Sequence, residues 1–173
     1  MRFPLPNLLL ALLAAACGST SQNGQLRWTW EGADHSGQLV AKATASLCPG
    51  TRLLELIASR GDSGVAVLLL PTDTTITPGR YPVFSPAIGV EPRPGAMLAL
   101  RWFSVVEVEA FESLDGEVVI DEAGPSGLSG RFSGRLLGVV KLDTVAVEGQ
   151  FTRVVPVTRG PGCVQTSRRN LTG

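Results

Sequence analysis

From residue 25 onward the hydrophobic positions recur with a period of two and hardly ever with the 3.6-residue period of a helix. Leu26, Trp28 and Trp30 alternate with Arg27 and Thr29, and Gly32 and Asp34 then signal a turn. From Leu39 the apolar face is Leu39, Ala41, Ala43, Ala45 and Leu47, with Lys42, Thr44 and Ser46 opposite. Alanine also suits a helix, but the alternation reads as a strand. Leu53 to Ser59 and Val65 to Leu70 flank the turn-forming run Arg60-Gly61-Asp62-Ser63-Gly64, which predicts a β-hairpin. Its second arm is apolar throughout, the pattern of a strand covered on both faces.

Further along, Pro71 to Gly79 is a polar, Thr-rich loop before a short segment from Arg80 to Phe84. Pro86 to Gly95 holds three prolines and two glycines, which marks a long irregular excursion. Met97 to Phe103 and Val105 to Phe111 form one long bent strand or two. Leu114-Asp115-Gly116 predicts a turn into Glu117 to Asp121. The clearest alternation is Leu128, Gly130, Phe132, Gly134 and Leu136 against Ser129, Arg131, Ser133 and Arg135. Val145, Val147, Gly149 and Phe151 repeat it before Val154 to Val157 and the Gly160-Pro161-Gly162 turn. The pattern predicts an all-β chain of about eight to ten short strands, folded as a single antiparallel β-sandwich or a small β-barrel.

The first residues follow another rule. Arg2 precedes an apolar run from Leu5 to Ala16, the length of a signal-peptide core and too short to span a bilayer. Leu12-Leu13-Ala14-Ala15-Ala16-Cys17-Gly18 resembles the lipobox of bacterial lipoproteins, with Ala14 where that motif usually carries Leu. The resemblance implies a signal peptide over 1–16 and lipidation of Cys17 with diacylglycerol and palmitate-like acyl chains. Residues 17–24 then form a flexible tether, and 25–173 a single β domain. Several acyl chains anchor a protein stably where one is marginal. Seven tether residues reach at most about 25 Å, so the domain is expected close to the membrane. Gly18, in place of Asp, favours by the same resemblance the outer membrane of the cell envelope.

Composition narrows the function. The chain has 15 basic and 15 acidic side chains and 44% apolar residues. Without a basic stripe or an acidic tail, no nucleic-acid partner is expected. Besides Cys17 there are two cysteines, Cys48 and Cys163, and a pair in an oxidising compartment is expected to form a disulfide. With His35 as the single histidine, no Cys/His metal site can be assembled.

The segment from Gly116 to Pro156 resembles the C-terminal half of uncharacterised bacterial lipoprotein β-domains. The matching runs are Gly116-Glu117-Val118-Val119-Ile120, Leu128-Ser129-Gly130-Arg131-Phe132-Ser133-Gly134, and Val145 through Gly149-Gln150-Phe151 to Pro156. The resemblance implies a β fold on a lipid tether and brings no activity with it.

Four places in the chain invite chemistry. Asp34-His35-Ser36 are neighbours and cannot orient on one another as a catalytic triad does, so they read as a turn. Gly124, Gly127, Gly130 and Gly134 lack the Gly-Lys-Ser/Thr of a phosphate loop. Glu107 and Glu109 share a strand face about 7 Å apart, with Glu112, Glu117, Asp121 and Glu122 nearby. They read as the solvated outer face of a hairpin rather than a glycosidase pair. Asp62, Asp73 and Asp121-Glu122 match no calcium loop. No catalytic residue, cofactor or metal is therefore expected. Trp28, Trp30 and Trp102 are the candidate contacts to a ligand or partner. The expectation is a non-enzymatic, lipid-anchored envelope protein with a structural or partner-binding domain; the alternative is a carrier of a lipid or other apolar ligand.

Overall fold

The computed structural model describes residues 24–32, 36–103 and 108–159. They form one ten-stranded sheet: β1 (Gln25–Gly32), β2 (Ser36–Cys48), β3 (Leu53–Arg60), β4 (Ser63–Leu70), β5 (Gly79–Phe84), β6 (Gly95–Phe103), β7 (Val108–Gly124), β8 (Gly127–Gly138), β9 (Thr144–Val154) and β10 (Pro156–Thr158). Among the described residues there is no α-helix, only a 3-10 turn at Pro86–Ile88. The fold is all-β, as the period of two predicts.

The pairings close on themselves. β1 pairs with both β9 and β2, and the circuit continues through β3, β4, β6, β7 and β8 back to β9. It is a staggered ring rather than a regular barrel. The register runs Thr44–Ile57–Ala66–Ala99–Glu112–Leu137–Thr144. One passage therefore climbs from near the end of β2 to the opposite end of β1, the tilt that ring closure requires.

Two irregularities shape it. β6 and β7 pair from Phe103↔Val108 to Ala99↔Glu112, then part, and β5 takes over the edge of β7 from Asp115 to Gly79↔Ile120. The register of β7 against β8 shifts between Ser113 and Asp115, a bulge that turns the strand at this fork. The buried Ser113 hydroxyl donates to the Phe84 carbonyl at 2.7 Å and pins the end of β5 there. Leu114-Asp115-Gly116, expected as a turn, is thus the inside of one 17-residue strand. The turn between β7 and β8 lies instead at Pro125-Ser126.

Inward positions hold the core, including Leu26, Trp28, Leu56, Val67, Leu98, Phe111, Ile120, Phe132, Leu136, Val147 and Phe151. The two Gly-x-Phe triplets, Gly130-Arg131-Phe132 and Gly149-Gln150-Phe151, run antiparallel on β8 and β9 in a register that opposes Gly130 to Phe151 and Phe132 to Gly149. Each ring lies over the other strand's glycine: a methyl on Gly149 would collide with the Phe132 ring, and one on Gly130 would meet Phe151 at 2.7 Å. On its other side Gly149 faces Trp28 of β1, so a glycine is flanked by two large aromatic side chains. These glycines make interior room for rings, which is why the triplets recur.

The expectation that β4 is covered on both faces holds only at its end: Val65, Val67 and Leu69 are buried on the inward face, while on the other face Leu70 is buried but Ala66 and Leu68 are only half-buried. An apolar run here reflects the aliphatic outer face that β4 shares with the exposed Ile57 of β3 and half-buried Met97 of β6.

Gly149→Ala is expected to destabilise the fold by about 1–3 kcal/mol through overpacking against Phe132, read from the urea midpoint. Gly50→Ala, where the added methyl meets nothing within 4 Å, should leave the midpoint unchanged.

Candidate functional site

The strand directions place the connections at two ends. At one end, here called the upper, β3 turns into β4 and β8 into β9, and the ends of β1 and β6 meet the starts of β2 and β7. The lower end holds Gly24, the β2–β3, β4–β5, β5–β6 and β7–β8 connections, and Arg159. There the Arg93 guanidinium donates to the carbonyls of Arg52 (3.0 Å), Pro71 (3.1 Å) and Thr51 (3.1 Å), so that one side chain ties three segments together.

The upper rim has a different chemistry. Trp30 stacks on Trp102 with ring centroids 5.9 Å apart, and Trp102 stacks on Phe111 at 4.5 Å. Both stacked tryptophans come from alternating strand positions that point inward. Trp28, two residues before Trp30, is 1% exposed and belongs to the core. Sequence reasoning grouped the three tryptophans; the structure gathers Trp30 and Trp102 at the rim and buries Trp28 deeper, beside Gly149.

The connection between β8 and β9 presents Val139 (55% exposed), Val140 (84%) and Leu142 (70%), and Val108 (54%) lies beside it at the start of β7. Phe103 closes β6 under the Arg101 guanidinium, 5.3 Å from the ring centroid. Exposed aliphatic side chains also occur at the lower end, in Ile88, Val90, Val155 and Val157. Leu142 adopts φ 59°, a left-handed conformation rarely taken by a branched side chain.

Glu109 is the residue that sequence reasoning misplaced. Expected on a solvated outer face, it is 7% exposed, on the same inward face of β7 as Phe111 and Ser113. Its Oε1 accepts from Lys141 Nζ at 2.7 Å, and its Oε2 makes no hydrogen bond within the protein. The only available signal was phase: Glu109 is an even number of residues from Phe111, an apolar position on the same strand. Glu107, Asp34, His35, Cys17 and Cys163 lie outside the described residues.

The outer faces of β1, β9, β8 and β7 form a polar groove of about 610 Å³, lined by Arg27, Thr29, Glu117, Asp121, Arg131 and Glu148 among others. Three of these charges have ion-pair partners: Arg131 pairs with Asp121 and Glu117 with Arg80, both at 2.7 Å. Exposed pairs of this kind add little stability. Beside the groove, Arg135 pairs with Asp115. The Arg135 hydrogen bond holds the Asp115 carboxyl below its ordinary range, with the pair's charge acting in the same sense and desolvation opposing. Glu112 is exposed, Glu117 half-buried, and Asp121 and Glu122 exposed; the nearby carboxylates thus lie on the solvated side. Among the described residues no cluster of three or more metal-ligating side chains occurs.

Cys48 ends β2, buried, and is not a free thiol. No family model, curated protein or solved structure matches this chain.

Arg135→Gln is expected to bring the Asp115 pKa back up toward the usual carboxylate value, followed by NMR titration of its side-chain carboxyl. Because the folded pKa is depressed, the pair's contribution is present above the unfolded value of about 3.9. It is lost as pH falls through the folded value.

Proposed function

We propose that this chain is a non-enzymatic lipoprotein of the bacterial cell envelope, anchored through acylated Cys17 and binding a protein partner with its β domain. The observation that carries the reading is the place of the tether: Gly24, which joins the domain to it, lies at the lower end with the exposed Ile88, Val90, Val155 and Val157, and the exposed Val139, Val140 and Leu142 lie at the opposite, upper end. A short tether holds the lower end against the membrane and turns the apolar rim away from it, toward a partner. The lipobox resemblance and Gly18 support an outer-membrane location.

The reading is favoured over a carrier of apolar ligands because interior space is taken by side chains. Phe132 and Phe151 fill the room that Gly149 and Gly130 leave, and Leu98 reaches within 3.0 Å of where a Gly134 methyl would lie. Kinship with the lipoprotein β-domains named above rests on these same Gly-x-Phe strands.

A Cys48–Cys163 disulfide belongs to the proposal. β10 runs parallel to the end of β2, Pro156 opposite Ala45 and Thr158 opposite Leu47, and the Arg159 amide donates to the Leu47 carbonyl at 3.0 Å. The chain is therefore directed alongside Cys48 only four residues before Cys163.

Two experiments test the proposal. Cys17→Ala is expected to move the protein from the membrane fraction to the soluble fraction; retention as an integral protein would overturn the anchor. Cys163→Ser is expected to cost about 2–5 kcal/mol by denaturant unfolding and to expose a Cys48 thiol to alkylation; an unchanged midpoint with Cys48 still protected would reject the bridge.

A further inference from the structure

The strip of the lower end just beyond Gly24 is occupied by β10. The Gly24 carbonyl accepts from the Ala43 amide of β2 at 2.8 Å. Past that level β1 has ended, and β10 takes over on β2, with Pro156 opposite Ala45, Val157 opposite Ser46 and Thr158 opposite Leu47. β3 holds the other flank of β2 there, so β10 continues the line of β1 away from the upper rim. Gly24 also packs so closely on Val154 that a methyl on it would collide. A chain entering the domain at Gly24 therefore passes beside Val154 and the residues that follow it.

Those residues carry an outward row. Val155 is 51% exposed and Val157 65%, at alternate positions that an extended chain turns to one side. Arg153 and Arg159, at the two ends of the row, are exposed. Among the described residues neither forms an ion pair. Counting Glu122, opposite Ser129 on β8, the two arginines leave the strip at a net charge of plus one. Exposed valines set between unpaired cations make an amphipathic strip at the place where the tether enters.

We infer that β10 and the residues flanking it form a membrane-contact strip, which seats on the bilayer that holds the anchor. The inference rests on the anchored reading of Cys17 and adds a second contact to it. Reach decides the occupant. The seven residues from Cys17 to Gly24 span at most about 25 Å, and a flexible polar chain of that length averages about 15 Å. The strip lies on the tether side of the domain, so the surface it meets is the bilayer. Valine side chains enter the headgroup boundary, where their apolar area is buried, and the guanidinium groups meet lipid phosphates beside them. The surplus positive charge favours an anionic surface. The contact holds the ring upright and fixes the direction in which Val139, Val140 and Leu142 point.

The test uses the full chain carrying its lipid, purified from membranes and reconstituted into vesicles of phosphatidylethanolamine and phosphatidylglycerol with acyl chains brominated near the headgroup. Bromine quenches tryptophan on contact, and the wild type, with Trp28, Trp30 and Trp102, gives the baseline. In Val157→Trp the added emission is expected to fall about twofold or more as the side chain enters the boundary layer. In Val140→Trp it should be unchanged. Adding Arg153→Glu and Arg159→Glu to Val157→Trp is expected to restore about half or more of the lost emission, which an indole seeking the interface on its own account would not do. Vesicle flotation of the same samples separates the two claims. Protein that floats while Val157→Trp stays as bright as Val140→Trp leaves the anchor standing and overturns the strip, as does quenching that the two arginine changes leave untouched. Protein that fails to float removes the anchor, and the strip with it.

Discussion

Everything in this ring depends on the reciprocal packing of Phe132 over Gly149 and Phe151 over Gly130. Eight strands closed on one another leave an interior only wide enough for side chains, and large rings enter it only where a facing position is empty. Glycine provides that space at a local cost in backbone entropy, and the buried aromatic area more than offsets it. The same contact fixes register. A one-residue slip of β9 against β8 would turn Phe151 to the outside and set a side chain, in place of Gly149, opposite Phe132.

The two ends of the ring differ in chemistry. The lower end gathers Gly24, the Arg93 ties and the β10 segment alongside Cys48. The upper end is capped by the Trp30–Trp102–Phe111 stack, with Glu109 and Lys141 beside it and aliphatic loop tips above. On the proposed function, recognition falls to the rims and outer faces. Of these, the groove on the outer sheet is polar and its charges are mostly matched by neighbours, whereas the upper rim combines exposed apolar area with buried, unmet polar groups.

Much of the fold was legible in the chain because strand periodicity survives in sequence. The β3–β4 hairpin and the alternation in β8 and β9 follow directly from which residues are apolar. What failed did so for identifiable physical reasons. Leu114-Asp115-Gly116 has turn composition, but a bulge uses the same residues to bend a continuous strand where β5 enters, and only the position of β5 decides between the two. The run Val65 to Leu70 looked doubly covered because nothing local distinguishes an aliphatic outer face from a buried one. Glu109 carries a charge that argues for solvent, and its burial depends on Lys141 and Asp143, more than thirty residues away in a loop with no periodicity of its own. The rim is therefore half legible: Trp30 and Trp102 stand out as candidate contacts, whereas Glu109 stands out as a carboxylate but reads as solvated, and is buried.

The central claim is that the ring is filled by its own side chains and acts through its surface. Native mass spectrometry of the soluble Cys17→Ala protein, purified without detergent or delipidation, tests this most directly. A single species at the mass of the polypeptide is predicted. A second species heavier by a few hundred daltons, which loses that mass on gentle activation and returns when an apolar ligand is added back, would contradict it and make the ring a carrier.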